Sequence, residues 1–360
     1  MSAAITIMVV GALVGASCGL VGSLLVLRRL ALLGDAISHS VLLGIVLVFW
    51  ATGSRSPVLM AIGAGAVGIL TVALVSWLQH TGLVKEDAAI GLVFPFLFAI
   101  GVVIVSRFPA QVHIDVDAVL YGEIAYVPLY RFEAFGWDLG TQAFWSVGTM
   151  LAIDLLFVVV LFKELTLSTF DAGFTAAIGM SPVLLHYLLM AFVSATTVVA
   201  FDAVGAILVV ALLIVPAATA QLLTRRLSKV IMLSVLIGAG SSVVGYWIAR
   251  LINGSIAGAI ATALGLAFLL AFLFSPAQGV VARIVRRTRQ RRTFIRDLVV
   301  AHVAAKREPV ALGSLNRDFH WSSHLTNRAI IDARNQNMLV LDGQGYVRIA
   351  DSPSHSSSRP

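Results

Sequence analysis

Long apolar runs separated by short polar stretches dominate the first three quarters of the chain. A helix needs about 20 apolar residues to cross a hydrocarbon layer of about 30 Å, and nine runs are of this kind. They cover residues 4–27, 32–50, 57–79, 88–106, 142–162, 183–200, 203–223, 229–251 and 255–274. The pattern therefore predicts an all-α polytopic membrane protein with about nine transmembrane helices.

The composition agrees with this prediction and restricts the kinds of site. Of the 360 residues, 59% are hydrophobic and 12% are charged, which is too apolar for an ordinary water-soluble domain. The single cysteine, Cys18, lies inside the first apolar run, so we expect neither a disulfide framework nor a cysteine-rich metal site. No positive segment precedes this run, so we expect it to be a retained span and not a signal peptide.

The charges in the connections between spans predict an orientation. If the N-terminus is outside, the cytosolic connections contain Arg28, Arg29, Lys85, Lys163, Arg225, Arg226 and Lys229. The outer connections then contain only Arg55, Arg107, Arg131 and Arg250. The positive-inside rule therefore predicts that the N-terminus is outside and the C-terminus is in the cytosol.

The C-terminal part of the chain differs in charge from the rest. Residues 1–280 carry a net charge of −1 and residues 281–360 a net charge of +8. We predict a transmembrane domain at 1–280, a basic juxtamembrane linker at 281–297 suited to anionic lipid headgroups, and a disordered tail at 351–360. Between them, residues 298–350 show three helical patterns and a strand-turn-strand pattern, which predicts a small cytosolic winged-helix-like domain.

The most specific polar feature is the pair Asp35 and His39 at the start of the second span. Residues four apart share one face of a helix, and ionisable residues in a span usually face the bundle interior or a water path. A carboxylate oxygen beside an imidazole nitrogen suits a divalent first-row metal. Two ligands make half a site, which the same pair from a homologous subunit would complete. The alternative is a hydrogen bond that only ties two helices together.

Two other acidic residues lie in or near spans. For Asp154 we expect a helix-to-helix hydrogen bond, with a pore group as the alternative. For Asp202 we expect a cap on the seventh span.

Two connections are longer than a turn requires, and function often lies in such segments. The outer one, residues 107–140, contains a mainly acidic group of residues that would attract cations. Its members are His113, Asp115, Asp117 and Glu123. The inner one contains the pattern of a short helix, which Thr169 or Asp171 would begin and Gly179 would end. None of the lysines belongs to a P-loop motif, so any ATP-driven function needs a separate ATPase.

Four segments together resemble the permeases of manganese, zinc and iron ABC importers. They are residues 27–45, 86–91, 115–124 and 204–220. The resemblance implies that Asp35 and His39 coordinate metal in the translocation path. It also implies that Phe170, Asp171 and Gly179 belong to a coupling helix seated on a cytosolic ATPase subunit, and that a metal-binding lipoprotein docks outside. The extension after about residue 276 is similar to the long-tailed subunit of the manganese/iron branch, in which two different permeases pair.

We therefore expect a permease subunit that brings Mn²⁺ into the cytoplasm, with no catalytic residues and no permanently bound cofactor. Its partners would be the ATPase, the lipoprotein and a second permease, either homologous or a second copy. Zinc and iron(II) stay open as cargo, because Asp and His accept all three ions. Two further alternatives are a proton-coupled secondary transporter using Asp35, His39 and Asp154, and a membrane-tethered DNA-binding regulator. We do not expect DNA binding, because the tether restricts which duplexes the tail can reach.

Overall fold

The structure is a computed structural model, and it divides the chain into two compact units, Met1–Gly279 and Val280–Pro360. The residues that it describes are 2–53, 57–107, 124–134, 137–276, 278–306, 308–319, 321–342 and 346–350.

Eleven helices make up most of the described part of the first unit. In chain order they are α1 (Ala3–Leu27), α2 (Ala31–Thr52), α3 (Pro57–His80), α4 (Glu86–Ser106), α5 (Gln142–Val160), α6 (Phe162–Phe170), α7 (Ala172–Ala177), α8 (Pro182–Val204), α9 (Ala206–Leu223), α10 (Leu227–Ile252) and α11 (Ile256–Phe274). Within the described residues, nine of them, all except α6 and α7, are long and apolar enough to cross a membrane. The prediction of about nine spans is confirmed.

Helix α1 is the centre of the bundle and packs against α5, α8, α9 and α10. Small residues make this close packing possible. A Cβ atom on Gly238 of α10 would lie 2.3 Å from the carbonyl oxygen of Gly15 in α1, so the two backbones approach too closely for any side chain. Val10, Val14 and Val21 of α1 are also fully buried.

A second group of helices surrounds α2, which packs against α3 and α4 and also contacts α8 and α9. Here too the closest approach involves glycine. A Cβ atom on Gly44 of α2 would lie 2.3 Å from the carbonyl oxygen of Gly63 in α3. The helix that carries Asp35 and His39 is therefore held firmly against its neighbours.

The long connection between α4 and α5 contains elements that the sequence pattern did not predict. A short 3₁₀ helix at Val127–Leu129 is followed by β1 (Arg131–Ala134) and β2 (Trp137–Thr141), which pair antiparallel. The residues of the predicted acidic group, His113, Asp115, Asp117 and Glu123, lie outside the described residues.

The second unit has its own small core. Its elements are α12 (Val280–Lys306), β3 (Val310–Ala311), α13 (Leu312–Phe319), α14 (Ser323–Asn335), β4 (Leu339–Leu341) and β5 (Tyr346–Ile349). The three strands form an antiparallel sheet in the order β3-β5-β4, with Val310 opposite Val347 and Val340 opposite Arg348. Val299, Val303, Leu315, Ile330 and Val347 are buried between the helices and the sheet.

Helix α12 runs through the position at which we expected a boundary between a linker and a domain. Residues 280–306 contain neither glycine nor proline, and arginine is a good helix former, so nothing interrupts the helix near residue 297. Ile295, one turn before Val299, packs against the core of the second unit. The second half of the expected linker is thus part of the folded unit. The expected disordered tail, 351–360, lies outside the described residues.

Candidate metal site

The start of α2 is fixed against the end of α1 by a tight turn. Only Arg28, Arg29 and Leu30 separate the two helices, and Arg29 has a left-handed backbone conformation with φ of 63°. At the first turn of α2, a Cβ atom on Gly34 would lie 2.9 Å from Leu25 Cδ2 in α1. Gly34 therefore lies close against Leu25, and Asp35 is the next residue.

Asp35 and His39 lie on one face of α2, as their spacing predicted. Asp35 Oδ1 and His39 Nε2 are 3.4 Å apart, and the two side chains are 38% and 37% exposed. The residues between them, Ala36, Ile37 and Ser38, are buried. The only two ionisable side chains of α2 therefore occupy its more accessible face, where their donor atoms can reach an ion.

Two aromatic side chains of α4 orient the imidazole. Phe94 stacks on the His39 ring at a centroid distance of 5.8 Å, and Phe98 meets it edge-on at 6.4 Å. The sequence analysis missed both residues. Their four-residue spacing on α4 was a signal that they share a face, but spacing alone does not say which helix this face contacts.

The pair has no third protein ligand in this chain within the part that the structure describes, because no group of three or more His, Cys, Asp or Glu side chains is close enough to hold a metal there. A carboxylate and an imidazole are suitable donors for Mn²⁺, Zn²⁺ or Fe²⁺. The arrangement can therefore provide half of a coordination sphere.

The short helix expected between the fifth and sixth spans is α7, and its ends have the expected capping residues. The Asp171 carboxylate accepts a hydrogen bond of 2.8 Å from the Phe174 N–H, and Gly179 has φ of 86°, in the left-handed region that favours glycine. The helix is shorter than residues 170–179, because Phe170 is the last residue of α6. Phe170 and Phe174 are 64% and 52% exposed, so this segment presents apolar side chains to its surroundings.

The sequence model of the ABC 3 transport family matches residues 2–275, which include all nine candidate spans. The chain belongs to the ABC 3 transport family. An ABC 3 protein is the membrane-spanning subunit of an ATP-binding-cassette transporter. This chain is thus a multi-pass transport subunit and not an enzyme, and ATP hydrolysis occurs in a separate subunit.

Curated members of the ABC 3 family are similar over most of the chain. The manganese transport system membrane protein MntD of Bacillus subtilis is 48% identical over 280 residues, which are 78% of this chain and 95% of that protein. The zinc transport system membrane protein TroD of Treponema pallidum is 41% identical over 360 residues, 98% of each chain. The similarity to TroD therefore extends through the second unit.

A solved structure has the same fold in the membrane part. A chain of PsaBC from Streptococcus pneumoniae, in complex with Fab, superposes with a TM-score of 0.65 at 30% identity. The match covers 77% of this chain and 94% of that chain. The helical arrangement described above is therefore shared with an experimentally determined structure.

Asp154 in this ABC 3 subunit connects three helices. Its carboxylate, fully buried in α5, accepts hydrogen bonds from Ser17 Oγ in α1 at 2.5 Å and from Thr196 Oγ1 in α8 at 2.9 Å. The expected helix-to-helix hydrogen bond is observed. The two hydroxyl partners are residues that the sequence analysis did not identify.

The expectation that Asp202 caps the next span is wrong. Helix α8 continues to Val204, so Asp202 lies inside its last turn with an exposed side chain. The break before α9 occurs at Gly205, which has φ of 81° and is the N-cap residue of α9 without a side-chain hydrogen bond. A glycine with a positive φ, and not an acidic cap, separates α8 from α9.

Proposed function

We propose that the chain is the permease subunit of an importer that carries a divalent transition metal into the cytoplasm, with manganese as the cargo. The observation that carries the proposal is the pair Asp35 and His39, whose donor atoms lie 3.4 Å apart on the accessible face of α2. MntD, at 48% identity, is a manganese transport protein, which favours manganese. TroD is a zinc transport protein, and zinc and iron(II) are the alternative cargoes that the same donors accept.

In this proposal the ion binds briefly between two permeases. Asp35 and His39 of this chain supply two donors, and their counterparts in a homologous permease or a second copy supply two more. Two carboxylates then offset the charge of a divalent ion. Weak and transient binding suits conduction better than a closed cage. The partial exposure of both side chains, 38% and 37%, supports this assignment, because a buried pair could not exchange an ion.

In this proposal a cytosolic ATPase subunit docks on α7, and its hydrolysis of ATP supplies the energy for transport. The exposed Phe170 and Phe174 and the capping residue Asp171 support a contact with another protein at this segment. The N-terminus would then be outside and the C-terminus in the cytosol of a bacterium, as the connection charges favour. On the outer face, a metal-binding lipoprotein would deliver the ion. ATP-driven closure of the two ATPase subunits would then change the side of the membrane to which the ion site is open.

The proposed metal site is tested by manganese uptake into liposomes that contain the permease pair, the ATPase and the binding protein. We expect Asp35→Ala or His39→Ala to abolish uptake while the complex still assembles, because the pair binds the ion and does not hold the fold. Asp202→Ala and His80→Ala are matched controls, since both side chains are exposed and lie outside the site. Near-normal uptake in both site variants would contradict the proposal. Uptake driven by a proton gradient without ATP would favour a secondary transporter.

The role of α7 is tested separately. Proline fixes φ near −65° and cannot adopt the φ of 86° at Gly179, so Gly179→Pro should displace the segment. We expect this variant, or deletion of residues 170–177, to lose copurification of the ATPase or metal-stimulated ATP hydrolysis. Gly53→Pro is the control, because Gly53 is equally restricted, with φ of 64°, but ends α2 away from α7. Unchanged copurification and hydrolysis would show that coupling uses another segment.

We also propose that the second unit is a winged-helix-like domain that regulates or stabilises the transporter and does not read DNA. The order of its elements, with a strand between the first two helices and a final hairpin, supports the fold. The exposed arginines of α12, which begins within six residues of the last span, favour contact with anionic lipid headgroups. The similarity to TroD through 98% of the chain supports a role shared with another metal transporter.

A further inference from the structure

Arg28 forms the contact that connects the turn before α2 to the segment before α7. Its guanidinium donates from Nη2 to Ser168 Oγ at 2.6 Å and from Nε to Thr169 Oγ1 at 3.1 Å. Arg28 is the first residue of the turn into α2, and Thr169 lies three residues before α7 begins. We propose that Arg28 is a positioning residue that transmits movement of α7 to α2. This inference rests on the proposed function.

The hydroxyl side of the contact is fixed to α6 and through it to α7. The Thr169 hydroxyl donates to the Leu165 carbonyl oxygen at 2.6 Å, which turns its lone pairs toward Arg28. The next element follows without a flexible linker, because the Asp171 N–H donates to the Leu167 carbonyl oxygen at 2.8 Å while its side chain caps α7. A displacement of α7 must therefore move the hydroxyls that hold Arg28.

The arginine side of the contact is fixed to α2. The Arg28 N–H donates to the Leu24 carbonyl oxygen at 3.1 Å at the end of α1, and α2 begins only three residues later. Gly34 then packs directly on Leu25, with Asp35 next to it. A force on Arg28 is thus applied at the start of α2, whose first three turns carry both proposed metal ligands.

The chemistry of the contact suits a movement that must be reversible. Among the residues that the structure describes, Arg28 has neutral hydroxyl partners and no carboxylate in an ion pair with it. Hydrogen bonds between a charged group and hydroxyls are directional. Breaking a buried ion pair would leave a buried anion without its partner, whereas breaking these hydrogen bonds does not. Arg28 can therefore hold the two segments together and exchange partners during a transport cycle.

The test measures manganese uptake and ATP hydrolysis in the same liposomes, which contain the complete transporter. For Arg28→Gln we expect an assembled complex that still hydrolyses ATP. Glutamine can keep at most one of the two side-chain hydrogen bonds. We therefore expect the number of ATP molecules hydrolysed per ion to rise roughly tenfold, the factor that corresponds to losing the other hydrogen bond to a charged group. Arg29→Gln is the matched control. It removes the same positive charge at the next residue, whose side chain is exposed. The number of ATP molecules that this control hydrolyses per ion should equal that of the unmodified protein.

Three further variants separate transmission from a general effect on folding. Ser168→Ala with Thr169→Val should raise the same ratio, and adding Arg28→Gln should raise it no further. Arg28→Lys should restore it in part, because one ammonium cannot hold both hydroxyls in the geometry of the guanidinium. An unchanged ratio in Arg28→Gln, or a parallel loss of uptake, hydrolysis and assembly, would overturn the inference. Absence of manganese uptake by the unmodified transporter would overturn the proposed function as well, so the two failures are distinguishable.

Discussion

The imidazole of His39 in α2 lies against the ring of Phe94 in α4, with the centroids 5.8 Å apart and the planes inclined by 29°. Phe98, one turn along α4, contacts the same imidazole edge-on. Two rings from a neighbouring helix therefore limit the rotation of His39, and Nε2 stays close to the Asp35 carboxylate. A ligand whose orientation is already fixed loses less conformational freedom when it binds an ion.

This relationship predicts that Phe94 affects metal affinity without touching the ion. We expect Phe94→Leu to raise the manganese concentration for half-maximal uptake roughly two- to tenfold, the range that corresponds to a lost aromatic contact. Phe96→Leu is the control, because Phe96 is on the same helix but is 62% exposed. Equal uptake curves for both variants would show that α4 does not orient His39.

Asp154 allows a test between a structural carboxylate and a pore group. Asp154→Asn keeps an acceptor for Ser17 and Thr196, so we expect a stable protein with normal uptake per assembled complex. Asp154→Ala leaves both buried hydroxyls unpaired and should lower the free energy of unfolding by about 1–3 kcal/mol. Thermal unfolding in detergent and uptake in liposomes are the two measurements. If Asp154→Asn loses uptake but not stability, Asp154 is a pore group and not only a structural carboxylate.

The close approach of α1 and α10 predicts different effects for two glycines of one helix. A Cβ atom on Gly238 would overlap the Gly15 carbonyl, whereas a Cβ atom on Gly240 would meet no atom within 4 Å. We expect Gly238→Ala to destabilise the protein by about 1–3 kcal/mol through overpacking, with a lower unfolding temperature. Gly240→Ala should unfold like the unmodified protein. Similar unfolding of the two variants would mean that the helices separate easily.

The continuity of α12 predicts where a stable fragment of the second unit begins. A fragment of residues 298–350 lacks Ile295, which packs on the core, and Arg296, which donates a hydrogen bond to Gln336. The loss of the partly buried Ile295 side chain should lower the free energy of unfolding by about 1 kcal/mol. The unfolding temperature of this fragment should therefore be about 4–8 °C lower than that of residues 280–350.

Circular dichroism of a third fragment provides the control for this comparison. Residues 288–350 keep Ile295 and Arg296 and lose only turns of α12 whose side chains are mostly exposed. We expect it to unfold at the same temperature as residues 280–350. If residues 298–350 are as stable as both longer fragments, the start of α12 contributes nothing to the second unit.

The sequence by itself determined the features that depend on residues close together in the chain. The nine spans follow from the length of each apolar run, because the thickness of the hydrocarbon layer sets the number of helical residues required. The common face of Asp35 and His39 follows from the helical period, and the Asp171 cap follows from the local hydrogen bond that an aspartate can accept. The sequence also indicates that α12 is continuous, because residues 280–306 contain neither glycine nor proline. The high positive charge of the same segment is what favours the prediction of a linker.

Only the tertiary structure decided which helix faces meet. Ser17 is 137 residues from Asp154, Thr196 is 42 residues from it, and Thr169 is 141 residues from Arg28. An apolar span presents similar side chains on all of its faces, so its sequence does not say which face contacts which neighbour. That choice depends on close packing of the whole bundle, in which contacts such as Gly15 with Gly238 fix the depth and rotation of each helix. The partners of Arg28, His39 and Asp154 are consequences of that packing, and no local pattern contains them.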